Sequence, residues 1–284
     1  MAATRKVEQL PTEGLCATSN YAALHSLLSS GDYSDMTIRC RGREFNTHRA
    51  VVCSQSPFFK TALSSNFKEG ASGTVDLPDD DPEIVHYFLE FLYIGTYSID
   101  NSKYDMTVEA AEATNKHILD RLSRRPAKPT LPRGRFQQLN PGQSRWSPYA
   151  FKASPVPTEN NNETKGEWMM KKSVQIYALA DKYGVPALRL LARDRLFEVG
   201  KDFLTSATGW DSASWEETAF FSEIVKMIYD NTFSEQDPLR QALYMIVGMK
   251  SGDDVMKTRM RTEMMLKAEL AVGVVDYLKE TRLM

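Results

Sequence analysis

The chain has 284 residues, 35 Lys+Arg against 37 Asp+Glu, and a formal net charge of −2. That length allows one or two domains, and 42% apolar with 25% charged residues is the composition of a soluble globular protein. No apolar run is long enough for a transmembrane helix, the opening MAATRKVEQLPTEG has no secretory h-region, and Cys16, Cys40 and Cys53 are too few and too scattered for a disulfide framework or a cysteine zinc site.

Residues 1–18 are polar and unpatterned, and a loose tail is expected there. Ser19 or Asn20 can cap a helix whose apolar positions are Tyr21, Leu24 and Leu28, with Leu27 beside them. Gly31-Asp32 ends it. Met36, Ile38 and Cys40 alternate with Thr37, Arg39 and Arg41, the pattern of a half-buried strand. Arg41-Gly42 is a turn into a second strand, Glu44 to Thr47, with Phe45 inward. Ser56 as N-cap with Pro57 at the first helical position opens a helix, and Phe58, Phe59, Ala62 and Leu63 form its apolar stripe. A third strand is expected at Thr74–Leu77. Asp81-Pro82-Glu83 starts another helix, because acids suit its positive end, and Ile84, Phe88, Phe91 and Leu92 continue it to Gly95. Thr96–Ile99 is read as a short strand.

The pattern then breaks. A short helix is expected within 105–122 (Val108, Ala111, Ile118, Leu122). Residues 121–152 hold Arg121, Arg124, Arg125, Lys128, Arg133, Arg135, Arg145 and Lys152 with no acid, and seven of the 13 prolines lie between 126 and 157. Such a stretch buries too little apolar surface to offset backbone entropy of about 1–2 kcal/mol per residue. A mostly disordered insertion is expected over 100–171. Phe136, Trp146, Tyr149 and Phe151 among its cations give the composition of a nucleic-acid or acidic-partner segment; a nuclear-targeting tract around Arg124-Arg125 and a plain solvated linker fit the same residues. Order resumes near Trp168, where Val174, Tyr177 and Ala180 mark a helix that stops at Gly184. Pro186 opens a second helix with Leu188, Leu191 and Leu196 inward, antiparallel to the first. Three more helices are expected at about 213–231, 237–250 and 254–281, the last with Met256, Met260 and Met264 in line for core packing or an adaptable groove.

Six short patterns occur in order: Tyr33-Ser34-Asp35-Met36-Thr37-Ile38, Phe45-Asn46-Thr47-His48-Arg49-Ala50-Val51-Val52, Ser54-Gln55-Ser56-Pro57-Phe58-Phe59, Phe67-Lys68-Glu69 followed by Val75-Asp76-Leu77-Pro78, Phe88 to Tyr97, and Leu179 to Leu188. Together they resemble the BTB/POZ domain, over 19–99 and 172–198, with a layout similar to fungal single-BTB proteins carrying an internal insertion. The resemblance implies an α+β fold: a small sheet flanked by helical hairpins, with an α-helical extension at 199–284. It also implies a protein-interaction module without enzymatic activity or cofactor, in the cytoplasm or nucleus.

The resemblance further implies candidate residues. Phe67 and Glu69 stand where BTB adaptors of cullin-3 ubiquitin ligases carry a hydrophobic-x-Glu contact motif; a turn residue on its own domain with a solvated Glu is the plainer alternative. Asp35 and Arg49 match a semi-buried charged pair near the two-fold axis of dimeric BTB domains, and Tyr21, Leu24 and Leu28 match the dimer helix. An intradomain ion pair and a helix packed on its own domain are the alternatives. A substrate adaptor of cullin-3 is the leading expectation. A homodimerising scaffold or transcription-associated regulator, with 121–152 touching nucleic acid, is the second. His48 matches a family histidine, and His25, His86 and His117 lack metal-ligand spacing, so all four are read as ordinary core or surface residues. No metal site is expected, and H-E-x-x-H, G-x-S-x-G and Walker A sequences are absent.

Overall fold

The computed structural model describes residues 12–97, 165–205, 219–249 and 254–282. The chain divides into two compact units, 1–32 with 100–157, and 33–99 with 158–284. In the first unit the described element is helix α1 (Thr12–Ser30), closed by the Gly31 N–H donating to the Leu27 carbonyl at 3.0 Å. The helix starts ahead of the expected Ser19 or Asn20 cap, so 12–18 are helical rather than a loose tail. Gly14 lies within this stretch, a residue that weakens a helix without ending it.

The second unit begins with a three-stranded sheet of order β2-β1-β3, made of β1 (Met36–Cys40), β2 (Arg43–Thr47) and β3 (Thr74–Asp76). β1 pairs with β2 antiparallel, Ile38 opposite Phe45, and with β3 parallel, Ile38 opposite Val75. The hairpin turns at Arg41 and Gly42, both at positive φ (45° and 85°), which is the type I′ geometry that matches strand twist. Met36, Ile38, Cys40, Phe45 and Val75 are buried, as alternation predicts.

Helices α2 (Arg49–Gln55), α3 (Pro57–Ala62), α4 (Lys68–Ser72) and α5 (Pro82–Ile94) cover this sheet. α2 carried no distinct periodic signal in the sequence. Ser56 caps α3, accepting from the Phe59 N–H, and Asp81 caps α5, accepting from the Glu83 N–H, as their residue types predict. Phe59 and Leu63 are buried, but Phe58 is 41% exposed and lies against the ring of Tyr183, centroids 4.8 Å apart, so it does not join the apolar stripe. The expected strand at Thr96–Ile99 is absent at Thr96 and Tyr97; Ser98 and Ile99 lie outside the described residues. Arg195 instead donates to the Tyr97 carbonyl (2.7 Å), which a strand neighbour would have taken, and to the Thr96 hydroxyl (2.9 Å).

α6 (Lys165–Lys182) and α7 (Pro186–Thr205) form the expected antiparallel pair. α6 packs on α5, and Tyr183 sits buried against Phe58, Phe59 and Phe88. Leu188 and Leu196 are buried and Leu191 half-buried. α7 runs without interruption past residue 198. Beyond it come α8 (Ala219–Asp230), α9 (Pro238–Met249), α10 (Asp254–Leu266) and α11 (Ala268–Arg282). The single helix expected at 254–281 is therefore two, broken at Lys267. Neither Gly nor Pro marks the break. It lets Glu269, at the start of α11, reach Arg240 Nη1 at 3.0 Å, while Arg240 also donates to Thr232. Met260 is buried and Met264 half-buried, in keeping with core packing. The 105–122 helix and the 121–152 basic stretch lie outside the described residues.

Candidate interaction surface

The described residues carry no group of three or more His, Cys, Asp or Glu placed to hold a metal ion, and no described helix is long and apolar enough to cross a membrane. The histidines are packing residues where described. His48 is buried, with Nδ1 2.6 Å from the Tyr93 hydroxyl, which also accepts from the His48 backbone N–H. His86 stacks on Phe45. His25 is half-buried in α1 beside Ser29, and burial lowers its pKa. His117 lies outside the described residues. Burial raises the Cys53 thiol above its ordinary pKa, with Arg49 opposing and Asp35 adding to the shift. A thiol so placed is protonated at neutral pH and a poor nucleophile.

The surface features are instead apolar. Phe67 is 49% exposed and sits at the N-cap of α4. The chain reaches it through a tight turn: the Phe67 N–H donates to the Ser64 carbonyl (3.2 Å), and the Gly70 N–H to the Phe67 carbonyl (3.1 Å). Gly70 passes so close to Ser64 that a β-carbon there would lie 2.0 Å from the Ser64 carbonyl oxygen. Only glycine fits, and the contact fixes the turn that presents Phe67. Glu69 is half-buried, its carboxylate 3.8 Å from Lys68 Nζ, and its carbonyl closes α4 by accepting from Gly73. Phe67, as the N-cap, and Glu69, in the first turn, thus both lie at the start of the same short helix.

Asp35 and Arg49 also meet, but not as the expected semi-buried ion pair. Asp35 is exposed. Its Oδ1 accepts from the backbone N–H of Arg49 at 2.7 Å, so the carboxylate acts as the cap for α2; the side chain of the N-cap residue His48 makes no cap bond. The guanidinium turns to backbone carbonyls, Nε to Asp35 O at 3.2 Å and Nη2 to Gly70 O at 3.3 Å. The family resemblance pointed to the pair; the fold shows that it works through the main chain. In α1, Tyr21 is 37% exposed and Leu24 and Leu28 are half-buried.

A family model for the BTB/POZ domain matches residues 24–120. The chain carries a BTB/POZ domain. Its curated relatives include Kelch-like protein 40 of Xenopus tropicalis, 32% identical over 76 residues, which are 27% of this chain and 12% of that protein. Kelch repeat and BTB domain-containing protein 4 of Homo sapiens is 34% identical over 67 residues, 24% of this chain and 12% of that protein. Kelch-like protein 30 of Homo sapiens is 30% identical over 88 residues, 31% and 15% of the two chains. The matches thus cover less than a sixth of each relative's length. The BTB/POZ match ends at 120, yet the structure builds α6 and α7 onto the same core: Ser56 Oγ, within the matched segment, donates to the Tyr183 carbonyl at 2.6 Å. Lys182 Nζ makes two 2.8 Å bonds to the Asp80 carboxylate, and the Tyr183 hydroxyl donates to that carboxylate too.

Proposed function

We propose that this BTB/POZ protein is a non-enzymatic adaptor that joins a cullin-3 ubiquitin ligase through the surface around Phe67 and Glu69. One observation carries the reading. A large aromatic side chain is held out to solvent by a turn whose backbone is fixed by hydrogen bonds and by the Gly70–Ser64 approach. A rigid exposed aromatic is the residue type and setting of an interface anchor, because little conformational freedom is lost on burying it. Glu69 supplies a carboxylate for a basic patch on the partner.

The test is capture of the purified cullin-3 N-terminal domain by the full chain. Wild type is expected to bind, and Phe67→Ala to bind at least tenfold more weakly, as truncating a buried anchor costs about 2 kcal/mol or more. Absence of binding by wild type removes the adaptor reading.

A second reading is a homodimer formed through α1. It is favoured by the incomplete burial of Tyr21, Leu24 and Leu28, apolar positions that a second copy would cover. Light scattering at tens of micromolar decides it: a mass of twice the 32.2 kDa chain is expected, and a monomer refutes the dimer.

A further inference from the structure

We infer that Arg49 is the positioning residue of the Phe67 surface: its guanidinium staples the α4 turn to the first strand and so sets where Phe67 stands. The inference rests on the adaptor reading for its partner, but not for its geometry. α4 has five residues and buries none of them. Packing therefore does little to hold it. Arg49 reaches across from α2 and donates Nη2 to the Gly70 carbonyl, three residues from Phe67, while Nε donates to the Asp35 carbonyl ahead of β1. The β-carbon position of Gly73, at the other end of α4, lies 3.4 Å from Nη2, so the guanidinium fills the space between the strand and the turn.

The arginine is itself held. Its backbone N–H donates to Asp35 Oδ1, which fixes the start of α2 against the same loop. Two carbonyls on different segments are bridged at once by the planar fork. Lysine has one nitrogen on a flexible stem and cannot span both. Asp35 and Arg49 thus act on Phe67 through the main chain, a role that does not require a two-fold axis.

The experiment uses the full chain with Arg49→Lys, which keeps the charge and removes the bridge. Hydrogen exchange of the peptide covering 64–73 is expected to quicken at least tenfold, with the 82–94 helix unchanged. Affinity for the cullin-3 N-terminal domain is expected to fall about tenfold. In a Phe67→Ala background the same substitution is expected to change affinity less than twofold, which a general loss of stability would not reproduce. Should Arg49→Lys fail to fold, Arg49→Gln is the second variant: its shorter amide also cannot bridge both carbonyls, and quickened exchange at 64–73 with the 82–94 helix unchanged supports the positioning role. Unchanged exchange at 64–73 in folded Arg49→Lys overturns the inference. So does a tenfold loss that persists without Phe67. If wild type captures no cullin-3, the adaptor reading falls, and the exchange result alone decides whether Arg49 fixes the turn.

Discussion

Single residues in this chain do two jobs where segments distant in sequence meet. Ser56 caps α3 through the Phe59 N–H and, with the same hydroxyl, donates to the Tyr183 carbonyl 127 positions away. The first role is legible from Ser-Pro before an apolar stripe. The second is not, because no local pattern identifies an acceptor across an insertion. Ser56→Ala is expected to destabilise the chain by about 1–2 kcal/mol, the cost of a lost helix cap, with part of the loss appearing at the α6–α7 turn. Urea denaturation checks the size, and hydrogen exchange around 183–186 checks the place. Asp35 has a similar double nature. The sequence paired it with Arg49, while the structure shows a carboxylate capping a backbone N–H and a guanidinium serving carbonyls.

At the level of elements, caps and periodicity account for β1, β2, β3, α3, α5, α6 and α7 to within a few residues. The failures have separate causes. α2 is a short helix whose side chains divide between core and surface without a clear period. Thr96 and Tyr97 have no strand neighbour, and the Tyr97 carbonyl is met by Arg195 instead. α10 and α11 separate at Lys267, where neither Gly nor Pro signals a break, and Glu269 just after it meets Arg240, 29 positions earlier. Helix interfaces also override propensity. Gly273 lies in α11, where alanine would ordinarily be favoured by about 1 kcal/mol, but a β-carbon there would meet the Tyr244 ring at 2.4 Å. Ring and helix backbone are both fixed, so overpacking of about 1–3 kcal/mol outweighs the propensity gain. Gly273→Ala is expected to lower the midpoint of thermal unfolding, measured by circular dichroism.

Across the second unit, tyrosines mark the seams. Tyr177 on α6 donates to Asp237 Oδ1 at 2.8 Å and accepts from Arg189 Nη2 at 2.7 Å; Asp237 in turn caps α9 through the Leu239 N–H. The helices after 198 are thereby tied to the BTB/POZ core, and α7 itself runs unbroken from Pro186 to Thr205. Burial pushes the Tyr177 hydroxyl up to about 12, Arg189 opposing and Asp237 adding. Burial likewise raises Tyr93 and Tyr97 to about 12. Tyr183 is raised further by burial and by its bond to Asp80. An unfolded tyrosine titrates near 10. The folded state therefore holds more protons above that pH, and stability falls as pH rises. The contribution is complete below about pH 10 and is lost progressively through about pH 12. Urea midpoints taken at pH 9, 10, 11 and 12 are expected to fall only beyond 10, together with the rise of tyrosinate absorbance. A decline already complete at pH 10 would contradict it.

The amino-acid sequence by itself determined the BTB/POZ domain, the α+β class, and the cap and turn residues, and its family resemblance pointed to Phe67, Glu69, Asp35 and Arg49. These are legible because caps, turns and two- or 3.6-residue periods are local, and because the motifs keep their order despite the long insertion. Only the tertiary structure decided that Gly70 must lie against Ser64, that Arg49 bridges Asp35 to Gly70, and that Tyr183 and Asp80 close the split domain. The Arg49 and Tyr183 contacts join segments whose separation in sequence carries no period, and the Gly70–Ser64 approach, though local, depends on a distance that only the folded chain defines.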